Sequence, residues 1–341
     1  MSPAYRSGPV TEILEERAGL QRVLVDLGRD LPERAYALTD LIGAVAVGDR
    51  LVVNTTAVDL DLGTGGWHVV HWNLERDEWV ERGPGHIMKL RYTSLQADVG
   101  SVEETHPDLA HDLEGTPVVV GTVHSQVPCI AVAARAVRPD ARIVYVMTDG
   151  ASLPLALSDL VAGMRASGLI DATVTCGHAF GGDAETVGVP AALTTARHRF
   201  AADLVVVAMG PGVVGTDTKL GTTALEAAAC LDHVAALGGT PVFAVRTSSG
   251  DPRARHRGVS HHAATVLDLV HGSVHVAAQA GLDTTGHEVH EVDDVDVGPL
   301  LDAHDLHVTT MGRTIAEDRD FFASAARAGT LAAGLLARAD R

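Results

Sequence analysis

From residue 115 onward the chain alternates between two kinds of stretch. Near-continuous apolar runs lie at 118–123, 143–147, 172–176, 204–209, 242–245 and 274–278, and helical spacing appears between them at 130–137, 155–166, 184–196, 222–237 and 259–270. The runs are rich in β-branched residues and apolar at successive positions, as strands buried on both faces should be. Strands of that kind separated by helices predict a Rossmann-like α/β domain over 114–341, a parallel sheet with helices on both faces. Beyond Gly281 the chain turns acidic and His-containing (HEVHEVDDVDVG), then becomes an alanine-rich helix at about 313–336.

Residues 1–113 carry a different rhythm. Short β-prone runs at 20–27 (LQRVLVDL), 49–54 (DRLVVN) and 67–72 (WHVVHW) are punctuated by glycine at 48, 63–66 and 83–85, with no good long helix. This predicts a small β-barrel-like N-terminal domain. Trp67, Trp72 and Trp79 all fall here, as core anchors or hairpin partners. The turn Leu62-Gly63-Thr64-Gly65-Gly66-Trp67-His68 faces a substrate or closes a hairpin. The segment GHIMKLRY, read as a strand, places His86, Met88, Leu90 and Tyr92 on one face and Lys89 and Arg91 on the other.

Composition narrows the function classes. The 341 residues suffice for two cored domains, and with 46% hydrophobic but only 4% aromatic residues the interior is built from Val, Ala and Leu. A formal net charge of −18 argues against general nucleic-acid binding. Three widely spaced cysteines suggest neither a disulfide framework nor a zinc ribbon. No apolar run is long enough for a membrane span, and the first residues lack a secretory pattern, so a cytoplasmic setting is expected. Only Lys89 and Lys219 among the 26 cationic residues are lysines.

In open parallel sheets, ligands bind beyond the carboxyl ends of the strands. The first run is followed there by His124-Ser125-Gln126, the second by Thr148-Asp149-Gly150, and the third by Gly177-His178 and then Gly181-Gly182-Asp183 and Glu185. The fourth ends in GPGVVGTDTK. The fifth leads into RTSSGDPRARHRGVSHH, where four arginines and three histidines face one aspartate in an acidic protein. Arginine forks recognise phosphate or carboxylate, so an anionic ligand explains the cluster, and pairing of an exposed loop with the acidic 288–296 segment is the alternative.

Gly210-Pro211-Gly212-Val213-Val214-Gly215 fits G-x-G-x-x-G after a strand. Pro211 removes a donor, the helix starts late, and no carboxylate ends the next strand, so a dinucleotide fingerprint fits poorly. An anion cradle of another type and a purely structural turn remain. His178, Asp183 and Glu185 share one loop and could hold a divalent metal, although Asp183 also suits a helix cap. Ser125 and Cys129 lack the surroundings of a catalytic nucleophile.

The stretches GHIMKLRYTSLQADVGSVEE, GHAFGGDAETVG, GPGVVGTDTKLGTTALEA and RHRGVSHH together resemble the bacterial and archaeal family called domain of unknown function 3866, over nearly the full chain. The resemblance brings no activity, cofactor or substrate. Where relatives tend to read Gly-Thr-Gly-Thr, this chain reads Gly215-Thr216-Asp217-Thr218, which carries a negative charge into the turn, able to hold a cation or orient Lys219.

The reading that follows is an enzyme binding a small anionic metabolite, phosphorylated or nucleotide-like, at the strand ends. Gly210, Gly212, Gly215, Thr216, Lys219, Arg246, Arg253, Arg255 and Arg257 are its candidate ligand-binding residues, and His124, His178, Asp183 and His261 its candidates for proton transfer. A metal-dependent hydrolase using His178, Asp183 and Glu185 is one alternative. A non-catalytic ligand sensor or scaffold is the other.

Overall fold

The computed structural model describes residues 3–62 and 65–336. Gly63 and Thr64 of the Leu62–His68 turn lie outside the described residues. The chain forms two units, one of residues 1–84 and 90–98 and the other of 85–89 and 99–341.

The first unit is a closed five-stranded barrel: β1 (Tyr5–Arg17), β2 (Leu20–Val25), β3 (Glu33–Ala37), β4 (Arg50–Asn54) and β5 (His68–Asn73), in the order β1-β2-β3-β5-β4. β1 closes it by pairing twice, through Tyr5–Pro9 with β4 and through Val10–Arg17 with β2. The strand changes partner between Pro9 and Val10, and just before that, at Gly8, a Cβ would sit 1.7 Å from the Asp26 carbonyl oxygen, so only glycine fits. Every second residue points inward, giving a core of Val10, Val23, Val25, Ala35, Ala37, Leu51, Val53 and Val70. Trp72 packs against that core, Trp67 stacks on Tyr36 at 4.7 Å, and Trp79 is exposed beside Arg76.

The second unit is the Rossmann-like α/β domain. Its elements are β6 (Pro117–Gly121), α1 (Gln126–Val137), β7 (Ile143–Thr148), α2 (Asp159–Ala166), β8 (Ala172–Thr175), β9 (Ala184–Glu185), α3 (Val189–His198), β10 (Leu204–Met209), α4 (Glu226–Ala236), β11 (Thr240–Ala244), α5 (His261–Leu269), β12 (His275–Ala277), β13 (Glu288–His290) and α6 (Arg319–Leu335). The sheet order is β9-β8-β7-β10-β6-β11-β12-β13, and every pairing is parallel. Alternate strand residues feed two cores. Val119, Tyr145, Met147 and Val206 pack with α1, α2 and α6, whereas Val118, Val146, Val207 and Phe243 pack with α3, α4 and α5.

That split positions the site. The chain leaves β6 and β7 toward one face and β8, β10 and β11 toward the other, so across β8-β7-β10-β6-β11 neighbouring strands send their connections to opposite faces. Diverging connections open crevices at the carboxyl ends of parallel strands. Among the described residues, no helix is long and apolar enough to cross a membrane.

Candidate functional site

Two polar clusters occupy the carboxyl-terminal rim of the sheet. The first is acidic and lies at the ends of β7, β8 and β10. Asp149 follows β7 and accepts the His178 amide at 2.9 Å, while Glu226, at the first position of α4, accepts the Thr148 hydroxyl. Each carboxylate rests on a glycine. A Cβ on Gly150 would lie 2.5 Å from Glu226 Oε2, and one on Gly177, which also has a φ of +65°, would lie 2.3 Å from Asp149 Oδ2. Burial raises the Glu226 carboxyl, the Thr148 hydroxyl pulls it part of the way back, and the charge of Asp149 raises it again, leaving it at about 7. A carboxyl that titrates near neutrality beside an acidic neighbour is equipped for general acid–base work.

The second cluster is basic and is built by residues 246–262, which fold back on themselves through antiparallel pairing of Thr247 with Val259 and Ser248 with Gly258. Asp251 and Asp318, both fully buried, organise it. Asp318 accepts Ser248 Oγ at 2.7 Å, the amides of Ser249 and Gly250, and Arg313 Nε at 2.9 Å. Asp251 takes a fork from Arg253, Nε at 2.9 Å and Nη2 at 2.8 Å, and a contact from Arg313 Nη2 at 3.3 Å. The Arg253 fork holds the Asp251 carboxyl well below the usual carboxylate range. Arg246 is 3% exposed, with Nη2 3.5 Å from Asp251 Oδ2 but Nε and Nη2 without a hydrogen-bond partner. Burial lowers its pKa to about 10, so it remains a cation at neutral pH.

His256, His261 and His262 sit together in this cluster, each offering one nitrogen within 4.8 Å of the others. Burial depresses all three, followed by the arginine charges for His256 and His261 and by the neighbouring His261 for His262, leaving His256 at about 3 and His262 at about 4.

The turn after β10 joins the two clusters. Gly210 packs where a Cβ would meet the Ser152 carbonyl oxygen at 2.2 Å, and Gly215 lies against His262, whose Cε1 would be 3.0 Å from a Cβ there. Four of the turn's amides are spent inside it. Val214 donates to Thr223 Oγ1, Thr216 to the Gly221 carbonyl, Thr218 to Thr216 Oγ1 and Gly221 to Thr218 Oγ1. Asp217 pairs with Arg255 at 2.6 Å, and exposed Lys219 pairs with Asp268 at 3.4 Å.

The structure therefore brings together Gly215, Arg246, Arg253, Arg255, Arg257 and His261 around the basic cluster, while His124, His178, Asp183 and Lys219 have partners elsewhere and Gly212 faces open space. His124 is buried, its Nε2 2.7 Å from Ser158 Oγ and its Nδ1 3.1 Å from Tyr145 Oη, and burial lowers it to about 4. It ties together the ends of β6, β7 and β10. His178 contributes its backbone amide to Asp149. Asp183 accepts the Thr173 amide at 2.8 Å and pairs with Arg165, and Arg257 donates Nε to the Asp251 carbonyl at 3.0 Å. Glu185 pairs at 3.2 Å with Lys89, which is 1% exposed and also donates to the carbonyls of Ala179 and Thr186. Met88 is exposed and Lys89 buried, on opposite faces as read, although the extended segment is only Met88–Lys89. Cys129 is buried with its thiol pushed up to about 12, so it stays protonated.

Glu226 was not legible from sequence, since it reads as an ordinary first-turn helix glutamate. The Thr148-Asp149-Gly150 sequence did mark the neighbouring carboxylate. The family model described as "Protein of unknown function (DUF3866)" matches residues 34–329, and the chain belongs to that family. No curated protein and no solved structure matches the chain.

Proposed function

We propose that this member of the family is an enzyme whose substrate is a small anionic metabolite, phosphorylated or nucleotide-like, held at the basic end of the rim. One observation carries the reading: the Nε–Nη2 edge of the buried Arg246 guanidinium has no hydrogen-bond partner. That edge is the fork with which arginine grips two oxygens of a phosphate or carboxylate. Buried donors left unpaired are costly, and a buried cation more so. An oxyanion seated on the fork satisfies both. Arg253 and Arg313 add positive potential around it, and Asp251 and Asp318 hold those two side chains in place. The anion's direct contacts thus fall to Arg246 rather than to the glycine turn, four of whose amides already donate to hydroxyls and a carbonyl of the turn and its exit.

Glu226 supports the catalytic half of the proposal. Near pH 7 it exists in both protonation states, and Asp149 lies beside it, accepting the His178 amide. The turn from Gly210 to Thr222 runs from this acidic pair to the basic cluster, so a bound anion and a reacting proton share one rim.

Thermal melts against inorganic phosphate, pyrophosphate and a nucleotide panel test the binding step. A ligand at a hundredfold excess over its Kd stabilises by about 2.7 kcal/mol, which a melt detects readily. The Arg246→Gln protein should lose the shift, and Arg246→Lys should recover little of it, because lysine restores charge without the fork. Flat melts of the wild type across the whole panel, or an undiminished shift in Arg246→Gln, would overturn the proposal.

A further inference from the structure

We propose that His256, His261 and His262 form a binding site for a transition-metal dication, zinc by its ligand chemistry. The site is separate from the His178, Asp183 and Glu185 set read from the sequence, whose two carboxylates are bound to Arg165 and Lys89.

The first argument is unpaired polarity. His256 and His262 are 1% and 4% exposed, yet neither ring nitrogen of His262 has a hydrogen-bond partner, nor does Nε2 of His261. Buried imidazole nitrogens left bare cost about 1–3 kcal/mol each. These nitrogens make no bond to one another as they stand, so a metal taking one lone pair from each ring would remove part of that cost.

The second argument concerns charge state. An anion would want these rings protonated, but the ring centroids stand only 5.0 Å apart for His256 with each of the other two and 4.1 Å apart for His261 with His262, a spacing at which three cations would repel one another. Neutral imidazole presents a lone pair, and a lone pair is what a metal takes. The neighbouring arginines oppose a cation. Arg255 is matched by Asp217 and Arg313 by Asp318, while Arg246 and Arg253 share Asp251, so one positive charge is left over beside the fork that seeks an anion.

The third argument is the support behind the ligands. Nδ1 of His256 is 2.8 Å from Ser260 Oγ, which fixes that ring and leaves Nε2 as the ligand atom. Ser260 Oγ also accepts the His262 amide at 3.3 Å, so one hydroxyl orients both buried histidines at the start of α5. Metal-bound histidines commonly engage their second nitrogen in this way. Nitrogens bound at about 2.0–2.1 Å around a tetrahedral zinc stand roughly 3.4 Å apart. The three here lie within 4.8 Å of one another, so small side-chain rotations close the set. Gly215 leaves room for the turn above His262, and three protein ligands leave the fourth position open, as in catalytic zinc sites.

The test is a zinc chloride titration of the full chain, stripped with a chelator and kept in phosphate-free buffer without a histidine tag. One zinc per chain should bind, His262→Ala should abolish it, and Ser260→Ala should weaken it about 10–100-fold. His290→Ala, in the separate His275, Glu288 and His290 group at the sheet edge, should leave it unchanged. Zinc-edge X-ray absorption of the wild type should show imidazole scattering from three histidines, a readout that does not depend on any variant folding. Absence of stoichiometric zinc, its loss in His290→Ala, or a shell without imidazole would overturn the site. Because phosphate is excluded, failure here is distinct from failure of the Arg246 proposal.

Discussion

Two ionisable groups in the α/β unit, the buried Lys89 and the half-buried Glu226, meet opposite fates, and the difference lies in their partners. Lys89 is enclosed by Glu185 and two carbonyl oxygens, so its three protons are all donated and it locks the 179–186 loop in place. Glu226 loses water to burial and has an acidic neighbour, with only one hydroxyl to offset them, so its carboxyl rises from 4.5 to about 7. The sign of the linkage follows. The folded state binds this proton more tightly than the unfolded chain does, so the group's contribution to stability falls as pH rises from about 4.5 to about 7, and the penalty is complete above that. Glu226→Gln keeps an oxygen for Thr148 and removes the charge. It should be more stable than wild type at about pH 8, by on the order of 2–3 kcal/mol, and close to wild type at about pH 4. Urea melts of both proteins at the two pH values check this, and a pH-independent difference would refute it. Little of this was readable beforehand. Lys89 was visible as an unusual residue, but its burial depends on contacts some 90 positions away along the chain, and the pKa of Glu226 depends on Gly150 admitting it to the backbone of β7.

Among the elements, the strands of the parallel sheet were the most legible, because a doubly buried strand writes itself as an unbroken apolar run. The 204–209 run is β10 residue for residue. The helical pattern at 184–196 is divided. Ala184–Glu185 joins the sheet edge beside β8, and the helix begins at Val189, with Pro190 suited to its first turn. β1 was missed because TEILEER has the composition of a helix, and barrel closure with two partners overrides that preference. The close approach of α6 to α1 has no sequence signature beyond small residues. It depends on Gly329, where a Cβ would lie 2.1 Å from the Ile130 carbonyl oxygen. That neighbour is backbone, so it cannot rotate away, and the helices must separate. Gly329→Ala improves helix propensity by about 1 kcal/mol yet should destabilise on balance, by roughly 1–3 kcal/mol net. Gly334→Ala, with open space around its Cβ, should be neutral or stabilising on the same helix. Equal effects at the two positions in denaturant melts would remove the steric explanation.

At the scale of the molecule, the acidic balance and the basic cluster pull in different directions. With 44 acidic and 26 basic side chains, the average surface charge has a like-charged neighbour, and folding concentrates that repulsion. The exposed ion pairs, such as Lys219 with Asp268, contribute little in return, since such pairs are worth about 0–1 kcal/mol. Screening should therefore stabilise the protein. Raising sodium chloride from about 0.01 M to about 0.15 M shortens the Debye length from about 30 Å to about 8 Å, enough to separate repulsions across the surface while sparing the buried Asp251 and Asp318 networks. Tm should rise by a few degrees over that range. Chloride is itself an anion and could act through Arg246, so the discriminating comparison is Arg246→Gln. If the gain comes from screening a net charge of −18, the variant shows the same rise as wild type. If the gain vanishes with Arg246, chloride is occupying the fork. If Tm falls with salt in both proteins, surface ion pairs outweigh the net repulsion and the charge argument fails.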